Sequence, residues 1–339
     1  MQAQPAATPM AFVRAIVLAY EKYGVDPSSA LRATQITRAQ LHREDARITA
    51  LQMEKLAEFA MQELDDEALG WFSRPLPWGT YGMLSRASLT APNLEVALKR
   101  WCRHQALFTQ ELLLSLVVEE GEARIEIAEH RRFGEMRELC LVTMLRFVHG
   151  YACWAIDSRI PLRRVTFPFA APPHRDAYPR MFPGPVSFDA PCAGFAFDAE
   201  YLALSLRRDE HAMRTMLQRA LQLTVVPYRR DRLLVHQVRE LLERKPAATA
   251  AALSRALHIS TRTLHRQLNE EGSSLQHLKD DVRRRQAIEL LGRTSRPIKQ
   301  IASAVGFENE KSFIRAFRGW TGASPGELRR AAHAAKQSR

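Results

Sequence analysis

The chain has 339 residues, with 49 Lys and Arg against 37 Asp and Glu, a formal net charge of +12. A composition of 46% apolar and 25% charged residues excludes a disordered or fibrous chain, and the length suffices for two or three domains with cores of their own. The charge is unevenly spread: residues 1–228 hold 26 basic and 26 acidic side chains, whereas residues 229–339 hold 23 and 11. A neutral body joined to a basic domain is the pattern of a protein that meets a polyanion with one part only.

No apolar run approaches the roughly 20 residues of a spanning helix, so no membrane contact is expected. The opening MQAQPAATPM lacks the charged start and apolar stretch of a secretory signal. Cys102, Cys140, Cys153 and Cys192 form no C-x-x-C pair. Buried reduced thiols in a cytoplasmic protein, with no metal and no cofactor, are the expectation.

In chain order, the first ten residues are small and polar and are expected to fray. Phe12 to Tyr23 shows helical apolar spacing, closed by Gly24 as a C-cap. Asp26-Pro27 predicts a short second helix with Asp at the cap. Thr49 opens a long amphipathic helix towards Trp71, and Pro92 starts another carrying Leu94, Leu98, Trp101 and Leu107. The period then changes. Residues 112–118, a Glu120-Gly121 turn and residues 123–129 predict a β-hairpin, because Ile125 and Ile127 alternate with charges. A helix from Glu135 to Asp157, strand-like segments at 163–169, 184–188 and 193–198, and a helix over 209–224 complete an α+β domain. Its boundary is placed at Val226-Pro227, giving domains 1–226 and 227–339, the second all-α.

The second domain contains an internal repeat. Leu253-Ser254-x-Ala256-Leu257-His258-Ile259 with Leu264-x-x-x-Leu268 parallels Ile301-Ala302-x-Ala304-Val305-Gly306-Phe307 with Phe313-x-x-x-Phe317. Each copy has a short apolar-faced helix, a tight turn and a second helix with an inward i, i+4 pair. That is the packing requirement of a helix-turn-helix, with units near 249–270 and 298–319. Ala256 and Ala304 are expected at the close helix contacts. Ser260 is suited to cap the first recognition helix, and Asn309 or Glu308 the second. A helix over 274–293, carrying Arg283-Arg284-Arg285, joins the units; its arginines suit phosphate contact and solvation equally.

The outward residues of the recognition helices are Arg262, His265 and Arg266 in the first and Lys311, Ser312 and Arg315 in the second. These types donate to base edges in the major groove. Ser260, Thr261, Asn309 and Arg318 are candidates for backbone contact. If both helices enter one face of the duplex, they must sit about 34 Å apart.

On these motifs, residues 250–330 resemble the DNA-binding domain of the AraC/XylS family of bacterial transcription regulators. The stretch from Ser312-Phe313-x-Arg315 to Trp320-Thr321-Gly322-x-Ser324-Pro325-x-Glu327-Leu328-Arg329 is the most specific part. His258 stands where the family usually has Gly, and Ser254 replaces a usual Ala. The first domain resembles the effector-sensing domain of one branch, through Gly24-Val25-Asp26-Pro27, Tyr81-Gly82-x-Leu84 and Tyr178-x-x-x-Phe182-x-Gly184-Pro185-Val186-x-Phe188. The resemblance implies a sequence-specific, effector-responsive activator that binds double-stranded promoter DNA and a small molecule. It also implies self-association as a homodimer and contact with RNA polymerase.

Other chemistries find less support. His104, His130, His149 and His174 are scattered, and no H-E-x-x-H, G-x-S-x-G or P-loop spacing occurs, so no enzyme is expected. His149, beside Arg146 on an apolar helix, reads as structural rather than as a haem or metal ligand. Trp78 and Tyr81 are the candidate effector-binding residues, although aromatics so placed, like Trp101 and Phe108, more often pack a core. A repair protein with a zinc-bound cysteine methyl acceptor needs clustered thiolates, which this cysteine spacing does not supply. A non-specific architectural DNA-binding protein leaves the neutral 228-residue domain without a purpose.

Overall fold

A computed structural model describes residues 6–182, 184–218 and 231–330. It divides the chain into two compact units, Met1–Arg229 and Arg230–Arg339. The expected joint at Val226-Pro227 and the end of the helix expected over 209–224 lie outside the described residues.

In the first unit, β1 (Thr8–Pro9) pairs with β2 (Arg47–Ile48) on either side of α1 (Met10–Tyr23), α2 (Ser28–Ala33) and α3 (Arg38–Leu41). The chain is therefore ordered earlier than expected: Met10, fully buried, anchors the start of α1. Gly24 ends α1 in the left-handed region at φ 68°, a conformation that a Cβ disfavours. Asp26 accepts from the Ser28 amide at 3.2 Å and Pro27 already has helical dihedrals, with its carbonyl accepting the Leu31 amide at 3.0 Å, as expected for α2. Thr49 and Gln52 form a reciprocal capping box at the head of α4 (Ala50–Glu63), which stops short of Trp71.

Next come α5 (Thr80–Leu89), which the sequence pattern does not predict, and α6 (Leu94–Phe108), capped by Asn93 rather than started by Pro92. The hairpin β3 (Leu112–Glu119) and β4 (Glu122–Glu129) forms as expected, with Leu116 opposite Ile125. After α7 (Arg137–Ile156) come β5 (Leu162–Thr166), α8 (Tyr178–Met181), β6 (Val186–Ser187), β7 (Ala193–Asp198) and α9 (Glu210–Leu217). The five-stranded sheet has the order β3-β4-β7-β5-β6, antiparallel except for the β5–β6 pair.

The core lies between this sheet and α7. Ile125, Val165 and Phe195 from three adjacent strands are buried together. The helix stretch Gly134–Ile156 is apolar and long enough to cross a membrane, contrary to the reading that no run approaches that length. Most of it is buried inside the unit, as a core helix. His149 on α7 packs edge-on to Phe195 at 5.6 Å, and its Nε2 lies 2.9 Å from the Ile160 carbonyl. Burial pushes its pKa down to about 4, so the ring is neutral and donates that bond.

The second unit is helical: α10 (Leu233–Arg244), α11 (Ala250–Ala256), α12 (Thr261–Glu270), α13 (Leu275–Arg293), α14 (Ile298–Ala304) and α15 (Glu310–Thr321). It has two cores. Val238, Leu242, Leu253, Leu264 and Leu268 pack with Leu275, Leu278 and Val282 of α13. Ile301, Ala302, Val305, Phe313 and Phe317 pack with Ala287 and Leu291 of the same helix. One rod thus contributes its first half to one core and its second half to the other.

Candidate nucleic-acid interface

Each helix-turn-helix is built by the same local chemistry. Ser260 Oγ accepts the Thr263 amide at 3.0 Å and starts α12; Asn309 Oδ1 accepts the Ser312 amide at 2.8 Å and starts α15. Each cap satisfies an otherwise orphaned amide and is worth about 1 kcal/mol. Ser260 and Asn309 therefore hold helix ends in place, whatever they offer a phosphate. Leu264 and Leu268 are fully buried beneath α12, as Phe313 and Phe317 are beneath α15. At roughly 1.5–3 kcal/mol per buried side chain, these pairs fix which face each recognition helix turns outward.

The close-contact residues differ from expectation. Ala256 and Ala304 are exposed, and the small buried residues are Ser254 and Ala302, two positions earlier. At about 100° per residue, Leu253 and Ser254, like Ile301 and Ala302, turn inward, which leaves Ala256 and Ala304 on the outer side of the same short helix. Ser254 is 4% exposed and its hydroxyl has no hydrogen-bond partner among the described residues. The turns also differ. Gly306 adopts φ +84°, whereas His258 holds the equivalent left-handed position at φ +54°.

The predicted contact residues Arg262, His265, Arg266, Lys311, Ser312 and Arg315 are all exposed, as are Ser260, Thr261, Asn309 and Arg318. The repeats align Arg262 with Lys311 and Arg266 with Arg315, each pair one turn apart on its helix. The other two are not equivalent: His265 matches Ile314, and Ser312 matches Thr263, whose hydroxyl lies 2.8 Å from Ser260 Oγ. Arg266 is only loosely held, 3.9 Å from Glu270. Both helices therefore present an exposed basic pair one turn apart, with no firm intramolecular partner among the described residues.

The arginine triplet is occupied within the unit. Arg283 donates from Nε to the Pro246 carbonyl at 3.3 Å and from Nη2 to the Gly306 carbonyl at 3.1 Å. Arg284 and Arg285 both bond Asp281, at 2.9 and 2.6 Å. Gly306 itself abuts the loop before the first helix-turn-helix, where an added Cβ would lie 3.0 Å from the Ala247 amide nitrogen. Arg283 and Gly306 thus tie the second turn to the loop that leads into α11.

The first unit holds a cavity of about 320 Å³ between α4 and α7. Its walls include Met53, Ala57 and Met61 from α4 and Leu139, Val142, Arg146 and Phe147 from α7. Neither Trp78 nor Tyr81 lines it. Trp78 is 47% exposed; Tyr81 lines a separate cavity of about 50 Å³ and packs 5.2 Å from Phe147, which borders both. Burial pushes Cys102 up to about 12 and Cys140 well above the usual thiol range; Cys192, contrary to expectation, is only half-buried, and partial burial raises it too.

Two helix-turn-helix units sharing one helix, each with an exposed basic recognition face, define a DNA-binding domain. Residues 24–206 match the family profile described as the arabinose-binding domain of AraC transcription regulator, and residues 253–331 match a helix-turn-helix domain profile. The chain belongs to the AraC family of DNA-binding transcription regulators. It is 26% identical over 326 residues to the ornithine utilization regulator of Pseudomonas aeruginosa, covering 95% of this chain and 96% of that protein. It is 38% identical over 77 residues to the transcriptional regulator VqsM of the same organism, covering 23% of this chain and 24% of that one. Among solved structures, CdpR of P. aeruginosa aligns over 90% of this chain and 96% of its own, with a TM-score of 0.37 and 21% identity.

Proposed function

We propose that this regulator is a cytoplasmic, effector-responsive activator whose α12 and α15 read two segments of one operator. The division of labour is a sensing and dimerising domain, residues 1–226, and a reading domain, residues 227–339. In this reading Arg262, Arg266, Lys311 and Arg315 contact base edges, with His265 and Ser312 beside them. Thr261 and Arg318 sit where backbone phosphates pass. The observation that carries it is the aligned basic pair on two recognition helices packed against opposite halves of α13. That helix has 19 residues, about 28 Å at the usual rise per residue, a single spacer somewhat shorter than the roughly 34 Å between adjacent major-groove segments.

The cavity between α4 and α7 supports the sensing role, being of the size small ligands occupy. The effector must bind one arrangement of the protein better than another to change DNA occupancy. A dimer bound to promoter DNA, in contact with RNA polymerase, completes the proposal. No enzymatic role is included, since a methyl acceptor needs a lowered thiol pKa and burial raises those of Cys102, Cys140 and Cys192.

The test is to select binding sequences for the full-length protein from random DNA and titrate salt. The expected outcome is one enriched bipartite site, bound at least a thousandfold more tightly than shuffled DNA and weakening steeply with salt. Equal affinity for selected and shuffled DNA would overturn the reading.

A further inference from the structure

Arg146 stands in a mostly apolar wall of a cavity whose other charged lining residues are Arg180 and Glu54. On α7 it follows Leu139, Val142 and Thr143 and precedes Phe147, one stripe of helical spacing that faces the cavity. Opposite, α4 contributes Ala50, Met53, Glu54, Ala57 and Met61, a second stripe of the same period. Among the described residues no carboxylate forms an ion pair with Arg146, and its Nε has no hydrogen-bond partner. Desolvation alone pulls its pKa down to about 10. The side chain is half-buried, and a guanidinium withdrawn in part from water is costly unless something supplies the matching charge.

Resting on the sensing role proposed above, we infer that the ligand of this cavity is a small organic carboxylate with an apolar body. Its carboxylate pairs with Arg146, and its body lies against Phe12, Met61, Val142 and Phe147. The planar guanidinium fits a carboxylate with two parallel hydrogen bonds. The mostly apolar lining disfavours a polyol: outside Arg146, Arg180, Glu54, Thr8 and Thr143 it offers no side-chain partners for buried hydroxyls. Tyr81, packed behind Phe147, holds that wall in place.

The full-length protein is titrated with octanoate, with octanol and octanamide as neutral matches, and with L-ornithine and L-arabinose as polar alternatives. Calorimetry and thermal shift are the readouts. Octanoate is expected to bind about 10- to 100-fold more tightly than octanol or octanamide. Arg146→Gln should lose that advantage while raising the melting temperature of the unliganded protein, because it removes an uncompensated buried charge. A purely structural arginine would lower the melting temperature instead. Arg146→Lys should recover part of the affinity, and Ala57→Trp, which fills the cavity, should abolish binding. Equal affinity for octanoate and octanol, or unchanged octanoate binding by Arg146→Gln, overturns the inference. If only L-arabinose binds, and Ala57→Trp prevents it, the carboxylate class falls; if only L-ornithine binds, and Ala57→Trp prevents it, the apolar body falls; in both cases the sensing role stands. If none of these probes binds, the inference falls; if no mixture of metabolites shifts the melting temperature either, the sensing role falls with it.

Discussion

The guanidinium carbon of Arg283 lies 4.9 Å from the centroid of the Phe307 ring, at the point along α13 where one core ends and the other begins. With its bonds to the carbonyls of Pro246 and Gly306, it ties the second turn to both the shared helix and the loop before the first helix-turn-helix. Two recognition helices read a fixed spacing only if their separation does not drift, and this side chain is a direct brace against drift. Arg283→Ala should cost roughly 1–3 kcal/mol of stability. Its affinity should become less sensitive to changes in spacing between the two halves of the operator. Arg283→Lys should restore little, since one ammonium cannot stack and span both carbonyls. Binding to a series of operators with altered spacing measures this.

The two turns should respond to substitution with opposite signs. Gly306→Ala places a methyl against the Pro246–Ala247 backbone at a positive φ and is expected to destabilise by roughly 1–3 kcal/mol. His258→Gly relieves left-handed strain at φ +54° and should stabilise by about 0.5–1 kcal/mol. Denaturant midpoints of the two variants check the contrast.

Ser254→Ala should stabilise the chain by about 1 kcal/mol, because the buried hydroxyl has no partner among the described residues and its removal ends a desolvation cost. A lower midpoint for the variant would show that the hydroxyl is bonded in solution.

Arg315→Ala is expected to lose roughly 1–3 kcal/mol at the selected operator and little on random DNA. Losses of equal size on both would reduce Arg315 to a phosphate contact.

Acid should weaken the first unit through His149. Its folded pKa, about 4, lies below the roughly 6.5 of an exposed histidine, so between those values the unfolded chain binds the extra proton. Stability is therefore complete above the higher value and falls as pH drops towards the lower, by at most about 1.4 kcal/mol per pH unit. His149→Gln, which keeps an amide donor for the Ile160 carbonyl and does not titrate, should flatten that dependence. Thermal unfolding of both proteins at pH 5 and pH 7.5 gives the comparison.

Caps and alternation were readable from the chain: Gly24, Thr49, Ser260 and Asn309 end or begin helices as their chemistry dictates, and Ile125 and Ile127 alternate into the core. Helix α5 was not, because it buries Gly82, Ser85 and Ser88 where an apolar stripe would be sought. The packing of Ser254 and Ala302 in place of Ala256 and Ala304 depends on how each short helix is rotated against its partner, a tertiary property. The Arg283 brace was invisible for a similar reason, since its partners are backbone carbonyls far away in sequence. Arg146 was hidden by its surroundings: on a helix apolar almost all round, periodicity does not reveal which face borders a cavity. The aromatic signal at Trp78 pointed to the surface instead.

The claim that two equivalent helices read one operator is tested most directly by guanine-methylation protection on the selected site, using wild-type protein, Arg266→Ala and Arg315→Ala. The account predicts two protected patches about one helical turn apart on one face of the duplex, with each variant erasing a different patch. A single patch, or a uniform weakening by both variants, would contradict it.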